Sequence, residues 1–457
     1  MGVTIFSLLP PARAADPVPV PVPLQSLIEY AQQPLRSTRD AGLERLRAGS
    51  GAIDALNGPA PLAAPGAGGP GAASFPQFVR PSGPAFEPDE ILVHWTTATP
   101  DPATLNRMEL EFKLHLSSVV ELPRLGVGFA VYRIDPPGDA AVQRARLRLA
   151  YPELSIDVNT RYYPASDTWV LTGAGGSPRQ YFNDRIKLPS DTRMQREIRI
   201  GMLDTSVSAG PSMDPARLIQ RSLLDSRDTP APAAHGNAVA ALIAGRDTAH
   251  GFSGAAPGSR VYAGGIMRVK GDYASTNTAL LLGGLEWLLS QDVQIINLSL
   301  AGVDGGGDAV AATAFGRLAQ LPVVVIAAAG NAGARAPPTY PAAYRGVIAV
   351  TASDALDQVY GGASQGDFVA LAAPGVDVWV PGADPGRYVT GTSFAAAIAS
   401  GAGALILAAR PTMSKADFLG YVCRNAKDLG RPGRDQVFGC GLLQVQPALD
   451  NASIAQP

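Results

Sequence analysis

The stretch Gly391-Thr392-Ser393-Phe394-Ala395-Ala396-Ala397 opens a run of small apolar residues that continues to Ala409. Glycine permits a tight turn, alanine favours a helix, and Pro411 marks where that helix should end. The stretch therefore predicts a buried helix with Ser393 on its first turn, where unpaired N–H groups and the helix dipole favour an anion. A serine in this place is either a helix cap or, if a histidine accepts its proton, a nucleophile.

Three further residues with suitable chemistry stand at the ends of predicted strands or helices. Asp204 ends an apolar strand that begins at Arg199, on the sheet edge where open α/β proteins bind ligands. His235 begins a helix of small residues. Asn331 follows a buried strand and is flanked by Gly330 and Gly333. Each has a structural alternative: a cap for Asp204, a cap or a packed ring for His235, and a left-handed turn for Asn331.

The four residues occur in the order Asp204, His235, Asn331 and Ser393, each on a glycine-rich turn, and the combination is specific. From Glu197 to Gln446 the chain resembles the subtilisin-like serine peptidases, whose Asp…His…Ser order differs from that of chymotrypsin-like and α/β-hydrolase enzymes. The resemblance implies a serine endopeptidase that forms an acyl-enzyme.

The resemblance also assigns the roles. Ser393 would attack the scissile carbonyl, His235 would move the proton, and Asp204 would orient the imidazole. Asn331 and the backbone N–H of Ser393 would hold the oxyanion.

The same resemblance implies a substrate cleft that pairs with an extended peptide as an added strand. Ser299, Leu300 and Ala301 would form one edge, and the segment Arg268 to Tyr273 the opposite edge. The pocket for the side chain before the cut bond would be walled by a short run of small residues, namely Ala328, Ala329 and Gly330.

Several positions depart from the common pattern of that family. Ser206 replaces a glycine, Asn237-Ala238 replaces Thr-His, and Phe394 replaces a methionine. None of these changes removes a group that the chemistry needs, but all touch packing beside the site. Ala332 stands where some relatives carry an acid, so the pocket is predicted to prefer apolar or neutral side chains over Lys or Arg.

Residues 197–457 are predicted to form an α/β domain with a mainly parallel sheet and helices on both faces, because the strand candidates are near-continuous apolar runs. The candidates are Ile198–Leu203, Val261–Gly265, Val293–Leu298, Val323–Ala328, Val347–Thr351 and Phe368–Ala372.

The residues before this domain divide into segments of different texture. Residues 87–164 predict a small α+β domain of ferredoxin-like order, with helices over Pro102–Leu114 and Ala140–Ala150 and a last strand over Ser155–Asn159. This segment resembles the inhibitory prodomains that precede subtilisin-like domains. Residues 165–196 would then be a linker that contains or borders a site of self-processing.

The N-terminal residues suggest export. Residues 1–15 hold an apolar run and then Ala12-Arg13-Ala14, typical of the end of a signal peptide, although a basic start is lacking. Residues 16–86 are rich in Pro, Ala and Gly, with helical spacing over Gln25–Leu56. A secreted or periplasmic protein is expected.

Composition limits the alternatives. The formal net charge of −2 gives no broad basic face for nucleic acid. The uncharged run Val389–Ala409 is long enough to span a bilayer, but its small residues favour a buried helix and no stable membrane span. Of the four histidines, His94 and His115 are expected at the surface or in packing, and His250 in a structural turn.

Two accessory features stay open. Cys423 and Cys440 could form a disulfide in an exported protein or remain two buried thiols. No cofactor or metal is required by this chemistry; structural calcium is possible in such a family but no ligand run is evident. The expected partners are polypeptide substrates and the chain's own prodomain. Two other functions remain: a catalytically silent peptide binder and an esterase that uses the same site.

Overall fold

The computed structural model describes residues 85–135, 138–165, 180–208, 210, 212–271, 273–303, 308–382 and 386–450. The predicted signal peptide and the segment of residues 16–84 lie outside the described residues. Two structural parts follow one another along the chain, and the second begins after residue 179. They are called the N-terminal module (residues 85–165) and the main domain (residues 180–450).

The N-terminal module is an antiparallel sheet covered on one face by two helices. Its strands lie in the order β4-β1-β3-β2. Asp101 and Asp139 start the helices, because each carboxylate accepts hydrogen bonds from backbone N–H groups of the first turn. The elements are β1 (Phe86–Trp95), α1 (Pro102–Phe112), β2 (Leu114–Leu122), β3 (Val127–Ile134), α2 (Ala140–Ala150) and β4 (Ser155–Pro164).

This order of strands and helices is the one that the sequence predicts, but two boundaries differ. Helix α1 ends at Phe112 because Lys113 adopts a left-handed conformation with φ of 51°. Strand β4 continues five residues beyond the predicted end at Asn159: Thr160 still pairs with Phe86 of the module, whereas Arg161 to Pro164 pair with strands of the main domain. Periodicity within the module gave no sign of that second set of partners.

The main domain is built on a seven-stranded parallel sheet in the order β17-β16-β14-β12-β5-β9-β6, as predicted for its class. Its first elements are α3 (Tyr181–Arg185), β5 (Arg199–Asp204), β6 (Leu218–Ser222), α4 (Ala234–Ala244), β7 (Arg246–Asp247), β8 (Phe252–Ser253), β9 (Arg260–Gly265), β10 (Arg268–Lys270), β11 (Tyr273–Asn277) and α5 (Thr278–Ser290). The remaining elements are β12 (Ile295–Leu298), β13 (Leu300–Val303), α6 (Ala309–Leu318), β14 (Val324–Ala328), β15 (Thr339–Tyr340), β16 (Val347–Ser353), β17 (Val369–Pro374), β18 (Val378–Val380), β19 (Arg387–Val389), α7 (Thr392–Ala409), α8 (Lys415–Asn425) and α9 (Val445–Asp450).

Strand β6 was not predicted. It lies at the edge of the sheet, and its last three residues are exposed. Its sequence is therefore polar and lacks the apolar run of the central strands. The polar segment before the sheet also contains structure. Phe182 and Ile186, on and just after α3, are fully buried in the main core, so residues 180–186 belong to the main domain.

Helix α7 crosses one face of the sheet and is almost entirely buried. Among the described residues it is the one helix long and apolar enough to cross a membrane, and 94% of that window is buried inside the structure. Its small residues let it approach α4 closely: a Cβ on Gly401 would lie 2.7 Å from the carbonyl oxygen of Ile243. The helix is therefore the central packing element, as the alanine run predicts.

Helices α5 and α6 cover the other face of the sheet, and the N-terminal module packs against them. Leu92 and Phe129 of the module share one buried apolar cluster with Leu285 of α5 and Phe315 of α6. The sheet of the module therefore packs directly on these two helices.

A disulfide joins Cys423 of α8 to Cys440 and closes a loop of 17 residues. Closing a loop of this length restricts the unfolded chain and is worth about 3 kcal/mol. We expect a Cys423→Ala/Cys440→Ala double variant to lose about that much free energy of unfolding in urea titrations. Reductant should destabilise the unsubstituted protein similarly and leave the double variant unchanged; an unchanged midpoint in both would contradict the prediction.

Candidate active site

Asp204 lies at the carboxyl end of the central strand β5 and is fully buried. Its Oδ1 accepts a hydrogen bond from the backbone N–H of Thr205 (2.6 Å) and contacts Nδ1 of His235 at 2.7 Å. The carboxylate is thus fixed by its own backbone and aimed at the imidazole. An imidazole that donates from Nδ1 to a carboxylate presents its Nε2 lone pair to the other side.

His235 stands on the first turn of α4, and a glycine fixes that turn against the end of β5. The N–H of Gly236 donates to Oγ1 of Thr205 at 2.8 Å, and a Cβ at this position would lie 2.6 Å from the Thr205 carbonyl oxygen. Only glycine allows this approach. Thr205 thus positions both Asp204 and His235, a role the sequence analysis did not assign.

Ser393 stands on the first turn of α7, as predicted, and is buried. Gly391 before it has φ of 149°, which favours glycine. The ring of Phe394 lies 5.5 Å from the ring of His235, centroid to centroid. The residue that follows Ser393 is therefore a neighbour of His235.

The Ser393 hydroxyl donates to the carbonyl oxygen of Ser299 at 3.0 Å, whereas Nε2 of His235 is buried without a hydrogen-bond partner. The structure therefore joins Asp204 to His235 and places Phe394, the residue after Ser393, beside the imidazole, but it holds the serine hydroxyl on another acceptor.

Asn331 presents one free N–H₂ group beside this serine. Its Oδ1 accepts from the backbone N–H (3.2 Å) and the hydroxyl (2.8 Å) of Thr392. Its Nδ2 is buried and has no hydrogen-bond partner. An unpaired buried donor is costly, so this N–H₂ group is available to an acceptor that a ligand would supply. Thr392, which fixes its orientation, was not identified from sequence.

A peptide segment of the chain itself lies against these groups. The backbone N–H of Ser393 donates to the carbonyl oxygen of Ala165 at 3.0 Å, and the N–H of Ala165 donates to Ser299 at 3.3 Å. The carbonyl of Ala165 is therefore held by the donor that the sequence analysis assigned to an oxyanion.

The end of strand β4, just before Ala165, lies between two edges of the main domain. On one side Pro164 and Tyr163 pair with Leu300 and Ala301 of β13. On the other side, Tyr162 and Arg161 pair with β11. The opposite edge predicted at Arg268–Tyr273 is formed by the β10–β11 hairpin, but the pairing residues are Thr276 and Asn277.

The three residues predicted to wall the pocket lie at the end of β14 and just beyond it, and all are buried. Gly330 donates from its N–H to Oγ1 of Thr392 at 3.1 Å, and Ala329 accepts a hydrogen bond from the hydroxyl of Thr339. Ala328 is the last residue of the strand. These three residues are thus small and buried, and Gly330 is tied to the first residue of α7, next to Ser393.

The contact between the N-terminal module and helices α5 and α6 also contains buried polar groups. Asp157 and Asn159 on β4 accept from the N–H groups of Ala309 (2.9 Å) and Ala279 (3.2 Å), so the module caps both helices. Asp308, which also caps α6, is 3% exposed and accepts from the hydroxyl of Tyr162 at 3.1 Å. Burial raises the pKa of Asp308 to about 6.

The other histidines have structural environments. His94 is buried with its Nε2 3.5 Å from Asp157, and His115 is exposed beside Asp135. His250 contacts Asp247 through Nδ1 at 2.9 Å. The described residues contain no group of three or more His, Cys, Asp or Glu side chains placed to hold a metal ion.

Comparison with known proteins shows similarity to one peptidase family. The subtilase family profile matches residues 196–441. Over 219 residues the chain is 34% identical to a subtilisin of Bacillus pumilus, covering 47% of this chain and 76% of that protein. It is 31% identical over 223 residues to the minor extracellular protease Epr of Bacillus subtilis strain 168, covering 48% of this chain and 34% of Epr.

Among solved structures, the fold is similar to that of fervidolysin from Fervidobacterium pennivorans, described as a keratinolytic enzyme related to subtilisin. The TM-score is 0.64 at 22% identity, over 82% of this chain and 62% of fervidolysin. The chain thus spans less than two thirds of both Epr and fervidolysin. The similarity to fervidolysin supports the fold.

Proposed function

The chain belongs to the subtilase family, and from this premise we propose that it is a serine endopeptidase made as a self-processing proenzyme. The observation that carries the proposal is the peptide in the cleft. Residues 161–165 run extended between two strand edges, and the carbonyl of Ala165 accepts from the N–H of Ser393 at 3.0 Å. A peptide substrate bound in the same way would present its scissile carbonyl to that serine.

The proposed mechanism uses only groups of this chain. The Ser393 hydroxyl turns from Ser299 to Nε2 of His235, gives up its proton there and attacks the carbonyl carbon. Asp204 stabilises the imidazolium that forms. The oxyanion is held by the N–H of Ser393 and by Nδ2 of Asn331. His235 then protonates the leaving amine, and a water molecule hydrolyses the acyl-enzyme by the reverse sequence.

The test is hydrolysis of casein and of matched amide and ester substrates by the purified protein. We expect both amide and ester turnover, together with labelling of Ser393 by a fluorophosphonate. Labelling without any turnover of either substrate, or turnover of esters alone, would contradict an endopeptidase. A specificity profile dominated by Lys or Arg before the cut bond would contradict the predicted apolar pocket.

The bond that the proenzyme cuts is proposed to be Ala165–Ser166, since the carbonyl of Ala165 accepts the hydrogen bond from the backbone N–H of Ser393. We expect the separated N-terminal fragment to end at Ala165 and the new N-terminus to be Ser166. Intact mass of the fragment and N-terminal sequencing of the product, both taken early in processing, check this. A fragment that ends at any other residue would contradict it.

After cleavage the N-terminal module is proposed to stay bound as an inhibitor, because its last residues fill the cleft and its sheet covers α5 and α6. Export is proposed for the same protein, since the disulfide between Cys423 and Cys440 suits an oxidising compartment. The effect of chelators on the melting temperature of the whole protein tests for structural calcium.

The stability of this inhibited complex should fall as pH rises. Burial raises the pKa of Asp308 from 3.8 to about 6, so the complex binds more protons between those values than separated parts whose Asp308 is exposed. Raising pH through this window should therefore weaken binding of the module by up to about a hundredfold. Inhibition by the co-purified module, measured from pH 4 to 7, checks this.

The variant Asp308→Asn serves as the control and should flatten that pH dependence. Burial also raises the pKa of Glu90 in the module, so Glu90→Gln measures separately how much Glu90 contributes to the pH dependence of binding. If the pH dependence is unchanged in the variant that combines Asp308→Asn with Glu90→Gln, neither carboxyl controls release of the module.

A further inference from the structure

Arg387 is linked to the chain segments that carry the two residues proposed to exchange a proton. It stands on β19, opposite Val380 of β18, and six residues before Ser393. Its guanidinium donates to the backbone carbonyl of Ala234, the residue before His235. The side chain therefore bridges the strand that leads to the serine and the turn that carries the histidine.

The charge of Arg387 has no counterion among the described residues. No carboxylate forms an ion pair with it there, and its Nε is buried without a hydrogen-bond partner. Burial lowers the pKa of Arg387. Arg161 and Arg268, which are buried at the cleft, are paired by contrast: Arg161 with Glu87, and Arg268 with Glu87 and Asp228.

An arginine that keeps free donors beside a cleft is suited to bind a carboxylate. The guanidinium carries five N–H donors in a planar fork and cannot lose its charge in this pH range. Within the described part of the chain Arg387 makes one side-chain hydrogen bond, to the neutral carbonyl of Ala234, which leaves most of those donors available. A carboxylate that arrives with a ligand would form the stronger, charge-assisted hydrogen bonds.

The hydrogen bond from Arg387 to Ala234 places the guanidinium beside the helix turn that carries His235, the residue proposed to protonate the product amine. Residues before the bond occupy the groove between β11 and β13, as residues 161–165 do. The residue after the bond must take its proton from His235, so the chain beyond the bond has to pass this histidine. The second residue beyond it is about 7 Å further along an extended chain, within the reach of an arginine side chain beside His235.

We propose that Arg387 is a specificity-determining residue that selects an acidic side chain at the second position after the cut bond. The sequence supplies such an acid: the second residue after Ala165 is Asp167, and it is the only acidic residue within residues 166–179. The chain's own processing site thus has the charge complementary to Arg387. This inference rests on the proposed peptidase function and on cleavage at Ala165.

The test uses fluorogenic peptides with the sequence of residues 162–169, in which the position of Asp167 is Asp, Asn or Lys. With the processed enzyme at low salt, kcat/KM should be about tenfold higher for Asp than for Asn, as expected for one charge-assisted hydrogen bond, and lowest for Lys. The difference between Asp and Asn should shrink at 0.5 M salt, because a partly exposed ion pair is screened.

Variants separate recognition of charge from a structural role. Arg387→Gln should bring the Asp-to-Asn ratio to about one, and Arg387→Glu should make Lys the preferred residue. A merely structural arginine would lower all three rates without reversing the order. Asp384 is three residues before Arg387 in the sequence and outside the described residues, and Asp384→Asn is expected to keep the preference for Asp.

Two negative results have different meanings. If the wild-type enzyme cleaves all three peptides equally well, or if the order of rates is the same in Arg387→Glu, this inference is overturned while the peptidase function stands. If the wild-type enzyme cleaves none of the three peptides and no casein, the proposed function is overturned and the inference with it.

Discussion

Replacing Ser393 by alanine is expected to lower kcat for a peptide amide by about 10⁶-fold, the scale of loss that follows removal of the nucleophile in a subtilisin. The physical reason is that no other group of the site can form the acyl-enzyme. The same variant should remain uncut, because the bond after Ala165 would have no nucleophile. Turnover of a peptide substrate and the mass of the purified chain measure both effects.

A second buried serine on the same helix provides the matched control. The hydroxyl of Ser400 donates to the carbonyl of Ala396 and to Oδ1 of Asn297, inside the packed face of α7. Ser400→Ala removes the same atom from the same helix but leaves the cleft intact, and it should process and turn over substrate. If Ser393→Ala is shortened when purified alone, self-processing is wrong; if it retains turnover, the assigned nucleophile is wrong.

The sequence predicted those parts of the site that depend on local chemistry at the ends of strands and helices. Asp204, His235 and Ser393 lie near one another because parallel strands bring their carboxyl ends to one edge and α4 and α7 pack side by side. That convergence follows from the order of elements, which apolar runs and glycine turns make visible.

The orientation of individual side chains could not be predicted in this way. Nothing in the sequence around Ser393 indicates that its hydroxyl donates to Ser299 in the described state, or that Thr392 fixes the amide of Asn331. Both depend on contacts between segments that are far apart in the chain. Spacing along the sequence carries no information about such contacts.

The occupation of the cleft was also beyond the sequence analysis. The strand predicted to end at Asn159 continues because its next residues find hydrogen-bond partners on β11 and β13, which belong to another part of the chain. A strand's length depends on its neighbours as much as on its own residues. The predicted processing region, residues 165–196, nevertheless begins at Ala165.

The second large effect is expected at Asn331. Asn331→Ala should lower kcat by about 10²–10³-fold with little change in KM, the loss found when one oxyanion donor is removed from a subtilisin. The reason is that Nδ2, buried without a partner in the described state, contributes only when charge develops on the substrate oxygen. Steady-state kinetics on a single amide substrate separate the two parameters.

The alanine change also removes Oδ1, which holds the backbone and hydroxyl of Thr392, so loss of activity could arise from a loosened loop. Asn331→Asp distinguishes the explanations because it keeps an oxygen facing Thr392 and replaces only the N–H₂ group. If the amide donates to an oxyanion, the aspartate variant should lose at least as much kcat as the alanine variant while melting nearer to the wild-type temperature. If Asn331 acts only by anchoring Thr392, the aspartate variant should retain most of the wild-type turnover, and its role in stabilising the oxyanion would have to be abandoned.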